Sequence, residues 1–171
     1  TFQQYVFDVC ASAGEWGIEN VLLLNGHYLA QDPELDIVVR RLREEAGMTA
    51  FQVPLVNLFA DVAAEIRTSE VSFHASEFET SIMLELFPEL VHMDRAEAVD
   101  PPEHTHPLTD YDALGENDVG WSRSAEDMDD LTPTGNIGDP TVATAAKGEA
   151  LVDAAVSGVR ELIEDLEAGE R

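Results

Sequence analysis

Two short stretches carry the residues whose types and spacing could do chemistry. Asn25-Gly26-His27 follows directly on the aliphatic run Val21 to Leu24, and His74, Glu77, Glu79 and Ser81 fall close together further on. A histidine just past a buried strand, with Gly26 permitting close backbone approach and Asn25 offering an amide, is placed to ligate a metal or move a proton. Its competing reading is a loop histidine whose ring bonds to backbone. On a helix, positions three and four apart share a face, so His74, Glu77 and Ser81 would align while Glu79 points nearly the opposite way. The two glutamates are therefore expected to have different roles. His74 and Glu77 would offer an imidazole for proton transfer and a hard carboxylate for Zn²⁺ or Mn²⁺. Equally, both glutamates suit the first turn of a helix, where the dipole favours acids, with His74 as a cap. His92, His104 and His106 are further candidate ligands, and Tyr28 and Trp121 could line a small-molecule pocket with aromatic surface, although a core or subunit contact suits Trp121 better.

The elements that must position these residues follow from apolar periodicity. Phe2, Val6, Val9, Ala13 and Trp16 recur at helical spacing behind Thr1, and Gly14 and Gly17 close the pattern. The chain opens directly on this helix, from which upstream sequence is expected. Val21 to Leu24 reads as a strand buried on both faces. Asp32-Pro33 starts a second helix, carried by Leu35, Val38, Val39 and Leu42 and stopped at Gly47. Thr49 to Val56 is the next strand, with helices expected over Asn57 to Arg67 and Ala75 to Leu86. Helix, strand, helix, strand in this order predicts parallel strands with helical crossovers, hence an α/β three-layer sandwich with a mainly parallel sheet. Functional groups should gather at the strands' C-terminal ends. The stretch from Asp94 to Pro140 is rich in Asp, Glu, Pro and Gly without a period and reads as a long ordered excursion. From Thr141 onward Val152, Ala155, Val159, Leu162, Ile163 and Leu166 draw one apolar stripe, predicting a long helix packed on the sheet. The whole, residues 1–171, is expected to form a single domain.

Composition narrows the partners. Nine Lys and Arg against 35 Asp and Glu leave a formal net charge of −26, and Lys147 is the only lysine. Such a surface repels nucleic-acid phosphates and anionic lipid head groups, so neither nucleic acid nor membrane is an expected partner. The acids are spread through segments with orderly apolar periodicity rather than gathered in a tail. That favours a protein working in high salt, where self-repulsion is screened, over an acidic interaction protein. Cys10 is the only cysteine and falls in an apolar-periodic segment, so a buried inert thiol and a reducing cytoplasm are expected. Gly-rich phosphate loops, Gly-x-Ser-x-Gly elbows and Cys-x-x-Cys pairs are absent from the sequence. Metal-assisted hydrolysis is the chemistry left standing.

Several pieces taken in order resemble the creatininase (creatinine amidohydrolase) family. They are Val21 through His27, His74 through Ser81, Phe87-Pro88-Glu89-Leu90-Val91, and Gly138-Asp139-Pro140 through Lys147-Gly148. The resemblance implies a creatininase-like α/β fold, assembled as a homo-oligomer, often a hexamer, and a divalent metal centre of Zn, Mn or Fe, possible in binuclear form, that activates water to open an amide. The implied substrate is a small-molecule amide. His27 is implied as a metal ligand, Glu77 as a glutamate completing the metal shell, and His74 as the histidine near the reacting amide. Glu79 and Asn25 are implied to hold ligands in orientation, and Tyr28 to contact substrate. Family members also carry Glu-x-His and a following Asp upstream, and Gly-Gly-Asn or a glutamate-bearing loop after Asn-Gly-His. Here that loop reads Tyr28-Leu29-Ala30, so His27 and Glu77 alone leave the metal set incomplete. Two outcomes are expected from this: an amidohydrolase, including a deformylase or peptidase of cofactor biosynthesis, or a truncated, metal-free paralogue serving as an assembly partner.

Overall fold

Strand β1 (Asn20–Asn25) and strand β2 (Thr49–Pro54) pair in parallel, Asn20 opposite Thr49 and Asn25 opposite Pro54. A parallel pair needs a crossover, which helix α2 (Asp32–Ala46) supplies. Helix α1 (Phe2–Glu15) precedes β1, α3 (Leu55–Ile66) follows β2 with no intervening loop, and α4 (Glu77–Leu86) and the long α5 (Ala145–Ala168) complete the set. Short 3₁₀ turns occupy Pro88–Leu90, Met93–Arg95 and Pro140–Val142. This computed structural model describes residues 1–27, 32–100 and 132–169. The expected helix and parallel-strand alternation is thus observed. His104, His106, Trp121 and Tyr28 lie outside the described residues.

The described residues fall into two compact units, Thr1–Leu58 with the end of the chain from Gly158, and Phe59–Ser157. In the first, Cys10, Val38, Leu42 and Met48 form the core, with Val6, Phe7, Val21, Leu23 and Ala50 packed against them. Val38 and Leu42 are wholly buried, each contributing about 1.5–3 kcal/mol of transfer free energy. Helix α1 departs from the expected stripe. Phe2, Val9 and Trp16 are exposed, Trp16 at 87%, whereas Val6, Cys10 and Gly14 face inward. Small side chains decide this rotation. An ideal Cβ on Gly14 would lie 2.9 Å from the Met48 sulfur, so the glycine lets Met48 seat against the helix. Gly47 ends α2 at φ +69, letting the Met48 N–H bond back to the Leu42 carbonyl at 3.1 Å.

In the second unit Ala63 of α3, Phe78 of α4 and Leu151 of α5 make the core, with Phe59, Val62, Ile66 and Ile82 around them. The first half of α5, expected on the sheet, therefore meets helices here. The contact between α4 and α5 depends on Gly148. A Cβ there would sit 2.0 Å from the Ser81 carbonyl oxygen, so the helix can approach only without one. The Ser81 hydroxyl, buried in the same place, accepts the Thr144 N–H at 3.1 Å. Helix α4 begins at Glu77, two residues later than its periodicity predicts, because Ala75 takes φ +44, the left-handed region that breaks a right-handed helix.

Candidate functional site

The first unit places His27 just past the C-terminal end of β1, and the preceding asparagine shapes the turn that carries it. The buried Asn25 side chain accepts the His27 N–H at 3.0 Å and donates to the His27 carbonyl at 3.2 Å. An Asx turn of this kind fixes the backbone two residues on. The same amide donates to Asp32 Oδ1 at 2.5 Å, and Gln52, on the neighbouring strand, donates to that oxygen as well. One carboxylate at the start of α2 thereby ties both strand ends together. Asn25 orients the His27 backbone, and the His27 residue is exposed. An open groove of about 640 Å³ runs along β1 to Asn25, with Leu22, Leu24 and Leu35 among its apolar lining.

The second unit carries His74 on the turn between α3 and α4, with Glu77 and Glu79 in the first turn of α4. His74 precedes α4, so it does not share the helix face of Glu77 and Ser81 as its spacing suggests. Its ring lies 4.3 Å from that of Phe73, tilted by 50°, and its carbonyl accepts the Ile137 N–H at 2.8 Å. Glu79 is exposed and turns back along the chain, accepting the Ala75 N–H at 2.6 Å. It thus caps the start of α4 and steadies the left-handed residue beside His74. Ser76, fully buried, meets the Ser72 hydroxyl at 2.8 Å. His92 is exposed at the start of the Met93–Arg95 turn.

Glu77 is the surprise of this unit. Its carboxylate is wholly buried and receives Lys147 Nζ, the Thr68 N–H at 3.0 Å, the Ser69 N–H at 2.8 Å and the Ser69 hydroxyl at 2.5 Å. Burial alone would raise its pKa. The bonds from Lys147, Ser69 and Thr68 outweigh burial and hold it at about 2, below the ordinary 4.5. Lys147 is equally engaged, donating also to Thr68 Oγ1 at 2.7 Å and to the Val142 carbonyl at 3.0 Å. An ammonium has three N–H groups, and all three are matched. The described partners of Glu77 are thus an ammonium, two backbone N–H groups and a hydroxyl, rather than the histidines and carboxylates of the expected metal shell. Its oxygens are already filled by a cation and by backbone donors, in a pocket built for an ion pair. Among the described residues no three His, Cys, Asp or Glu side chains converge as a metal would require. The described residues do not fit a metal centre by themselves.

Sequence reasoning missed Lys147 as Glu77's partner, and it missed Asp32 and Gln52 behind Asn25. One signal for Lys147 was available, since it is the single lysine of a chain with 35 acids. Its partner was not legible, because 70 residues separate it from Glu77.

Parallel strands joined by a helical crossover, with polar residues at the end of β1, define an α/β protein of the kind whose ligand sites gather at the carboxyl ends of the strands. The family model for creatininase, described as creatinine amidohydrolase, matches residues 1–163, and the chain belongs to that family. It is 30% identical to the creatinine amidohydrolase of Pseudomonas putida over 94% of its length and 60% of that protein's. It is 28% identical to the 3-dehydro-scyllo-inosose hydrolase of Thermotoga maritima, covering 98% of this chain and 58% of the other. A solved manganese form of creatininase superposes with a TM-score of 0.67 at 25% identity, over 95% of this chain and 62% of that one. The chain thus spans about 60% of the length of the relatives it matches.

Proposed function

We propose that this chain serves a creatininase-family amidohydrolase that cleaves a cyclic amide, or another C–N amide bond, of a small molecule. The observation that carries the reading is the family match over residues 1–163, which includes both the His27 and the His74 segments. A divalent cation, zinc, manganese or iron, would supply Lewis-acid chemistry; relatives of manganese and zinc type are consistent with that requirement. His27, exposed at the end of β1, is the ligand this chain contributes. His74 is the group suited to carry a proton, since an imidazole alone among side chains titrates near neutral pH without perturbation. Asn25 orients His27 and Glu79 steadies the His74 turn, so each works through the backbone of its neighbour. Tyr28 is the proposed substrate contact. The assembly would be a homo-oligomer in the cytoplasm. No helix among the described residues is long and apolar enough to cross a membrane.

A second reading is favoured by one observation, the lack of converging ligands among the described residues. In it the chain is a non-catalytic assembly partner. Metal content of the purified protein, with hydrolysis of creatinine and a panel of amides, separates the two. The enzyme reading expects bound metal that falls in His27→Ala, and turnover lost in both His27→Ala and His74→Gln. Protein that stays metal-free and inactive after incubation with zinc or manganese would sink it.

A further inference from the structure

The turn from Thr68 to Ser76 is held at two places. At its base the Glu77 carboxylate receives the backbone N–H groups of Thr68 and Ser69, so the residues that enter the turn are tied to the first residue that leaves it. Arg67 reinforces the entry by donating to the carbonyls of Ser69, at 2.7 Å, and Glu70. Higher up, the segment before α5 lies across the turn. Ile137 donates to the His74 carbonyl, Gly138 pairs with Ser72, and Gly138, at φ +107, comes so near that a Cβ would lie 2.5 Å from the Val71 carbonyl oxygen. Between these holds Ala75 keeps a left-handed conformation that costs a non-glycine residue free energy, and such a residue persists only when its flanks are fixed.

The hold at the base needs a cation. Three donors from a neutral backbone and a hydroxyl would leave a buried carboxylate with an uncompensated charge, which low-dielectric surroundings do not tolerate. Lys147 is the group that compensates it, reaching from the first turn of α5 while its other two N–H groups fix Thr68 and Val142. We propose that Lys147 is a positioning residue for His74, acting through the Glu77 carboxylate to keep the turn closed at its base. An ammonium suits three acceptors that diverge around a point, where the planar fork of an arginine would not. That is a physical reason for one lysine to stand in a chain whose other eight basic residues are arginines.

The proposal takes its functional meaning from His74 as proton carrier, but its test does not use turnover. The five histidines are labelled, and the His74 ring signal is assigned with His74→Gln and compared in wild type and Lys147→Met by NMR. The expected result is a displaced His74 signal with those of His27 and His92 unmoved, together with Thr68 and Ser69 amides exchanging about tenfold faster or more, as for a locally opened turn. An unmoved His74 signal overturns the proposal even if the amides exchange faster, since Lys147 would then be structural only. A common displacement of all histidine signals, as general loosening would give, overturns it too. Should Lys147→Met not fold, Glu77→Gln/Lys147→Met removes both charges and leaves no buried ion unpaired, so it should fold and still displace the His74 signal. A wild-type His74 signal in that variant overturns the proposal. Inactive protein whose His74 signal responds to Lys147→Met would count against the amidohydrolase reading and leave this one standing.

Discussion

Replacing Glu77 by Gln should make the protein's stability depend less on acid. The wild-type carboxyl is held at about 2 from an ordinary 4.5, with burial opposing and the bonds from Lys147, Ser69 and Thr68 prevailing. At about 1.4 kcal/mol for each tenfold change in proton affinity, this depression corresponds to about 3 kcal/mol of folding free energy. The sign follows from the direction. A carboxyl depressed on folding binds fewer protons in the native state, so its contribution is complete above pH 4.5 and fades as pH falls towards 2. Glu77→Gln removes the titrating group but keeps the shape, so it should be less stable than wild type by about 3 kcal/mol at pH 7, in line with breaking a buried pair. That gap should narrow below pH 4.5 and close near pH 2. Urea unfolding of both proteins at fixed ionic strength between pH 7 and 2.5 measures it. Taking the difference removes the repulsion among the other carboxylates, which changes alike in both proteins. A gap at pH 3 as wide as that at pH 7 would refute the reasoning, as would no gap at neutral pH.

Other expectations test the packing. Gly148→Ala should destabilise by about 2 kcal/mol or more despite gaining about 1 kcal/mol of helix propensity, because its Cβ would meet the backbone of Ser81. Gly158→Ala on the same helix is the control. Its Cβ would meet only the Leu58 side chain, at 3.0 Å, and its thermal midpoint should differ little from wild type. Cys10, whose pKa burial raises, should react with a thiol reagent at pH 8 only as fast as the protein opens, and immediate labelling of the native protein would contradict its place in the core.

The marker segments read in the sequence are explained largely by one piece of packing. Ser81 and Gly148 are the two sides of the α4–α5 contact, Gly138 lies on the turn that carries His74, and Lys147 neutralises Glu77. Several residues that mark the family in the sequence therefore pack on or beside the turn that carries His74. The contact of Asn25 with His27, by contrast, joins residues only two positions apart.

By itself the sequence determined what depends on neighbours along the chain. The α/β alternation, the helix stops at Gly17 and Gly47, the strand ending in Asn25-Gly26-His27 and the family all follow from local pattern and residue order. Periodicity also set Glu77 and Ser81 on the buried side of α4 and Glu79 on its exposed side. Only the tertiary structure decided which apolar face of α1 is buried, because that face is chosen by how closely Gly14 lets Met48 approach. It decided as well that α4 starts only at Glu77, since Glu79 and Ile137 hold the turn before it against the helical preference. Above all it decided which group Glu77 meets. A carboxylate near a histidine has the same letter whatever it meets, and its contact here is with Lys147, which folding brings from another helix.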